Sequence, residues 1–124
     1  AVVEAMQAHP QVVSVQVWGY RVLANLCRGN DAAGLARKQR AAGAGAIEAV
    51  VEAMRAHLQV ADVQEEGCRM LFNVCYSDDS VGRARRLRAA RAGGRMVASA
   101  AMQAHPGHSE VQRLGQRLMV YLPE

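Results

Sequence analysis

An all-α, solenoid-like fold follows from three properties of the chain. The first is recurrence: Ala1 to Cys27 returns at Ala49 to Cys75, and in part from Val97 to Leu122, each time 48 residues further on. AVVEAMQAHPQV stands against AVVEAMRAHLQV, VQVWGYRVLANLC against VQEEGCRMLFNVC, and AMQAH with VQRLGQRLMVYL makes the third copy. A period of this order means stacked supersecondary units, each unable to bury its apolar face without a neighbour. The second property is helical spacing of apolar residues within each copy. The third is composition: 51% of residues are apolar but only 4% aromatic, which suits close helix packing through alanine rather than a bulky globular core.

The elements follow in order. Val2, Val3 and Met6 share one helical face, and His9-Pro10 halts that helix because proline cannot continue it, while the histidine sits favourably against the last carbonyls. VQVWGYRVLANLC makes a long helix that contains Gly19. Asp31 to Ala42, opened by an Asn-Asp cap signal, reads as a shorter helix, and Gly43 and Gly45 supply the turn that follows. Ala46 to His57 then places Ile47, Val50, Val51, Met54 and Leu58 on one face, with Glu52 and Arg55 on the other. The next helix spans about Asp62 to Tyr76, with Asp62 as N-cap, Glu65 completing a capping box, and Val63, Met70, Leu71 and Val74 as its core stripe. Gly67 permits close approach of a neighbouring helix; a helical glycine costs about 1 kcal/mol relative to alanine, so its return at Gly19 and Gly115 indicates a packing role. Asp79 to Ala92 repeats the short helix after Asp78-Asp79, Gly93 and Gly94 repeat the turn, and His105-Pro106 ends the second-to-last helix. The unit is short helix, glycine turn, long helix, polar turn, long helix. One array covers 1–124, with a partial repeat at 1–30, a full repeat at 31–78 and a final repeat at 79–124, hence between two and three repeats. Opening on Ala1 inside a helical pattern, without an initiating Met, the chain is expected to be a piece of a longer protein.

With Gly45-Ala46-Ile47-Glu48-Ala49-Val50-Val51 opening the second helix of the unit and Asn73-Val74-Cys75 closing the third, the chain resembles the armadillo repeat over essentially its whole length. Two-helix HEAT repeats are the nearest competitor, disfavoured by the glycine turn and the third helix. The resemblance implies a right-handed α-solenoid of armadillo-type three-helix repeats, its period longer than the usual forty-odd residues because of the Ala/Arg-rich first helix. It further implies a recognition scaffold whose third helices line a concave groove. In the nuclear-import adaptors of this family an asparagine near the end of each third helix holds the backbone of an extended peptide, and Asn25 and Asn73 match it. A tryptophan one turn earlier belongs to that pattern; here Arg21 and Arg69 stand instead, and the third copy has Arg117 and Tyr121. Arginine at these places favours a partner bearing carboxylates or phosphates over a lysine-rich import signal.

Trp18, Arg21 and Asn25 form one helical stripe, Glu66, Arg69 and Asn73 the next, and Leu114, Arg117 and Tyr121 the third. One reading of this ladder is a groove that hydrogen-bonds an extended acidic protein segment. Another pairs Arg69 with Glu65 or Glu66 and leaves Asn25 to satisfy loop carbonyls. Trp18 is either an anchor for a partner or packs on a preceding repeat. The arginines of Val81 to Arg95 (Arg83, Arg85, Arg86, Arg88, Arg91 and Arg95, with no acid among them) offer an alternative: nucleic acid or another polyanion, against the reading of a solvated helix face. A third possibility is a structural spacer within a larger protein.

Other functions find no residues to carry them. Cys27, Cys68 and Cys75 are odd in number, without a CxxC or Cys/His cluster, and read as reduced, buried structural thiols, favouring an intracellular location in cytoplasm or nucleus. His9, His57 and His105 recur one repeat apart, about 8–10 Å between equivalent helices, too far for a shared ion at about 2 Å from each ligand; no metal site is expected. No nucleophile stands with an activating base and no glycine motif cradles phosphate, so neither an enzyme nor a cofactor is expected. No run is long and apolar enough to span a membrane. Open apolar ends would also let copies of the array stack on one another.

Overall fold

The computed structural model describes residues 2–77 and 79–124. Among them are eight helices and no strand: α1 Val2–Ala8, α2 Val13–Leu26, α3 Ala32–Gly43, α4 Ala46–Ala56, α5 Ala61–Cys75, α6 Ser80–Arg91, α7 Gly94–Ala104 and α8 Ser109–Tyr121. Contacts run between helices one repeat apart. The series α2, α5, α8 packs side by side, as does α1, α4, α7, while α3 bridges α2, α4 and α5, and α6 touches α4, α5 and α7. This helix packing is compatible with a helical repeat. Of the sequence landmarks, Ala1 and Asp78 lie outside the described residues.

The core forms from the faces that periodicity marked. Ile47, Val50, Val51 and Met54 of α4 and Val63, Met70, Leu71 and Val74 of α5 are all buried, whereas Glu52 and Arg55 pair with each other in solvent at 3.2 Å. The glycine of each third helix is pressed against a methionine of the preceding helix: a Cβ built on Gly67 would stand 2.7 Å from Met54 Cγ, and Gly19 and Gly115 meet Met6 and Met102 in the same way. Gly45 and Gly93, at φ +89° and +97°, occupy the left-handed region where a side chain is strained, and each sits at the N-cap of the long helix that follows.

A glutamine recurs with equal regularity, buried at Gln16 and Gln64 and half-buried at Gln112. Gln64 Nε2 donates to Met54 O at 3.1 Å and His57 O at 2.9 Å, and Gln16 and Gln112 do the same to Met6 and His9, and to Met102 and His105. The side chain thus satisfies carbonyls at the C-terminal end of the preceding helix, groups that lack an intrahelical donor. Between repeats, His57 Nε2 donates to Pro10 O at 2.7 Å and His105 Nε2 to Leu58 O at 2.8 Å. The recurring histidines therefore stitch one repeat to the next.

The short helices begin as expected, with Asp31 accepting from Gly34 N and Asp79 from Gly82 N, both at 2.8 Å. The start of α5 differs. Its N-cap is Val60 and Asp62 lies inside the first turn, so the capping box through Glu65 does not form. The reason is the tight turn in which Val60 N donates to His57 O, which starts the helix two residues early. Glu65 is drawn instead to Arg69 and His108.

Candidate functional site

The third helices place their polar residues on one surface. Arg21 and Arg69 meet the same carboxylate oxygen, Glu66 Oε1, at 3.8 and 3.0 Å. Arg69 also reaches Glu65 at 3.4 Å and Glu110 of α8 at 3.3 Å, and Glu110 is held by Arg113 at 2.8 Å. A chain of alternating charge therefore crosses α2, α5 and α8. The hydrogen bond from Arg113 lowers the Glu110 carboxyl below its ordinary range, with Arg69 and His108 adding to the effect.

Beside this chain lies a cavity of about 430 Å³ whose polar wall is Asn25, Arg28, Arg69, Asn73, Arg113 and Arg117, with Phe72 and Leu114 among its apolar residues. It collects Asn25, Arg69, Asn73 and Arg117 of the expected ladder. Trp18, Arg21, Glu66 and Tyr121 lie outside its lining. Trp18 is half exposed, and Glu66 works as the counter-ion of Arg21 and Arg69.

Two of the expected residues have structural duties. Asn73 Nδ2 donates to Ala24 O at the end of the preceding third helix, at 3.3 Å, so its amide ties repeats together. The Tyr121 hydroxyl receives from Ser77 N at 3.1 Å and Arg86 Nη1 at 2.8 Å, and its ring stacks 5.6 Å from Tyr76 and lies tilted 5.2 Å from Phe72. Asn25, by contrast, is exposed, and among the described residues its side chain makes no hydrogen bond.

Arg28 and Arg113 were not foreseen. Neither recurs: the equivalent of Arg28 is Tyr76, and that of Arg113 is Glu65. Such positions carry no recurrence to mark them, although Arg113 stands one turn before Arg117 and shares its face. Among the described residues, Arg28 and Arg117 have no carboxylate within ion-pair distance; the Arg117 guanidinium instead lies 4.1 Å from the centroid of the Phe72 ring.

The six arginines of 81–95 do not act as one patch. Arg85 is buried, donating to Val74 O at 2.8 Å, Gln39 Oε1 at 2.9 Å and Ser77 Oγ at 2.8 Å. Arg86 is bound to Ser77 O and Tyr121, and Arg95 to Met119 O and Leu122 O. Arg88 forks onto Glu48 at 2.7 and 3.0 Å. Arg83 and Arg91 alone of the six are exposed without a partner among the described residues. The charge density seen in sequence is consumed by helix-end carbonyls and one carboxylate, because α6 packs across the C-terminal end of α5. Arg37 of α3 makes the equivalent bond to Leu26 O at 2.6 Å.

Cys27, Cys68 and Cys75 are free and buried, and burial pushes the Cys68 and Cys75 thiols up to about 12. Among the described residues no helix is long and apolar enough to cross a membrane. Compared with protein-family models, with curated proteins and with solved structures, the chain matches none. The class defined by the fold is an all-α protein whose packing is compatible with a helical repeat.

Proposed function

We propose that the chain is an armadillo-type, right-handed solenoid module, a protein–protein interaction scaffold that binds an extended acidic segment of another protein along its third helices. The observation that carries this reading is the pair Arg28 and Arg117, which line one cavity and, among the described residues, have no carboxylate within ion-pair distance. Arg69 and Arg113 are compensated by glutamates and act as rigid walls. Arg28 and Arg117 are the charges left for a ligand. Stacking on Phe72 orients the Arg117 fork at little further entropic cost on binding. The unengaged Asn25 amide supplies a donor and an acceptor for peptide backbone.

The test is fluorescence anisotropy with a labelled Asp/Glu-rich dodecapeptide. Wild type should bind it, and Arg28→Ala with Arg117→Ala should weaken binding by about tenfold or more, since a charged hydrogen bond contributes roughly 1.5–3 kcal/mol. Circular dichroism should stay unchanged. Replacing the exposed Arg83 and Arg91 by alanine should leave affinity as it was. Unchanged binding by the Arg28/Arg117 variant, or loss only in the Arg83/Arg91 variant, refutes the assignment and favours a polyanion surface on α6.

A further inference from the structure

A second recess, of about 540 Å³, adjoins the arginine cavity and shares Phe72, Arg113 and Arg117 with it. Its remaining wall is Gln116, Val120 and Tyr121. Val120 is 82% exposed, the most exposed large apolar side chain of the described residues, and it stands beside the Phe72 and Tyr121 rings. Water therefore covers an apolar seat that begins where a cluster of guanidinium groups ends.

In an extended chain, side chains two positions apart point to the same side and lie about 6–7 Å from each other. Adjoining cavities with a common wall suit such a pair. We infer that the bound segment carries a bulky apolar side chain two positions from its anionic one, with the anion between Arg28 and Arg117 and the apolar group against Phe72, Val120 and Tyr121. This rests on the acidic-segment reading of the arginine cavity and specifies its ligand further.

A second copy of the chain is the competing occupant, because Val120 stands at the repeat position of Phe72, which α8 covers. Charge argues against it. The helix such a copy would lay on α8 is its α2, whose single charged residue is Arg21; it would bring another guanidinium to Arg113 and Arg117 and no carboxylate. An acidic segment brings the complementary sign.

The experiment compares two dodecapeptides with the same Asp/Gly flanks, one with the centre Leu-Ser-Glu-Ser-Leu and one with Ser-Ser-Glu-Ser-Ser, on wild type and on Val120→Asn. Leucine on both sides makes the design independent of chain direction. Burial of one leucine side chain should make the leucine peptide bind about tenfold tighter or better to wild type. Val120→Asn should erase most of that preference while leaving the serine peptide's affinity within about twofold. Equal affinities on wild type overturn the apolar seat and leave the acidic reading standing; no binding of either peptide overturns both. Sedimentation velocity of both proteins completes the test. Self-association abolished by Val120→Asn, with no change in peptide preference, assigns the seat to a second copy and overturns the inference.

Discussion

At Gln64 a single amide bonds two carbonyls of the helix before it, and the residue is buried. Removing it strips Met54 O of a donor in a place water does not reach, and an unsatisfied buried group costs roughly 1–3 kcal/mol. Gln64→Ala should therefore lower unfolding free energy in urea by about 2 kcal/mol; a loss below about 0.5 kcal/mol would mean that the amide bonds contribute nothing net. The thiols make a second residue-scale prediction. Burial raises Cys27, Cys68 and Cys75, and raises Tyr20 too, while it lowers Lys38, with Arg85 lowering it further. In the unfolded chain thiols release their protons near 8.5, whereas the native chain keeps those of Cys68 and Cys75 to about 12. The unfolded state then binds fewer protons, so the stabilisation present below 8.5 is lost as pH climbs. Lys38 acts oppositely, since its native form gives up the proton first, but it is one group against three thiols and a phenol. The urea midpoint should fall between pH 8 and pH 11, and Cys68→Ala with Cys75→Ala should shrink the fall; a flat or rising midpoint contradicts this.

At the scale of helices, the packing of α4 on α5 depends on an absent side chain. Gly67→Ala would improve helix propensity by about 1 kcal/mol, yet the new Cβ would stand 2.7 Å from Met54 Cγ and 2.8 Å from its Sδ, inside a filled core. Overpacking of that kind costs about 1–3 kcal/mol. The variant should be less stable than wild type by thermal melting, and adding Met54→Ala should relieve the clash, so that the two changes are non-additive. Increased stability of Gly67→Ala alone would show that the methionine steps aside freely. Helices were legible in sequence to this degree because glycine, aspartate and proline act locally: Asp31 and Asp79 cap as their position demands, and Gly45 and Gly93 take the left-handed turn. The start of α5 was not, because Asp62 carries a capping signal that the turn from His57 to Val60 overrides. The arginines of α6 were misleading for a related reason. Periodicity shows where a side chain leaves its helix, but not which carbonyl of another helix its long stem can reach, and Arg85 reaches Val74 O.

For the whole molecule, the recurrence in sequence is matched by recurrence in bonds, from Gln16, Gln64 and Gln112 to His57 and His105. In a helical repeat stability comes from neighbour contacts, and α5 touches helices of the sequence copies on both sides while α1 packs chiefly on α2 and α4. Hydrogen exchange should therefore be slowest in α5 and fastest in α1; equal protection in both would contradict a neighbour-coupled array. The proposed binding face was half legible. Asn25, Arg69, Asn73 and Arg117 lie on one surface as the 48-residue period demands, whereas Arg28 and Arg113 are unique to their copies and carry no recurrence to reveal them. The proposed function turns on that cavity. Its most direct test is an NMR titration of the ¹⁵N-labelled chain with an Asp/Glu-rich dodecapeptide. Shift changes should gather at Asn25, Arg28, Arg69, Asn73, Arg113 and Arg117 across α2, α5 and α8. Changes confined to α6 around Arg83 and Arg91, or none at all, would contradict it.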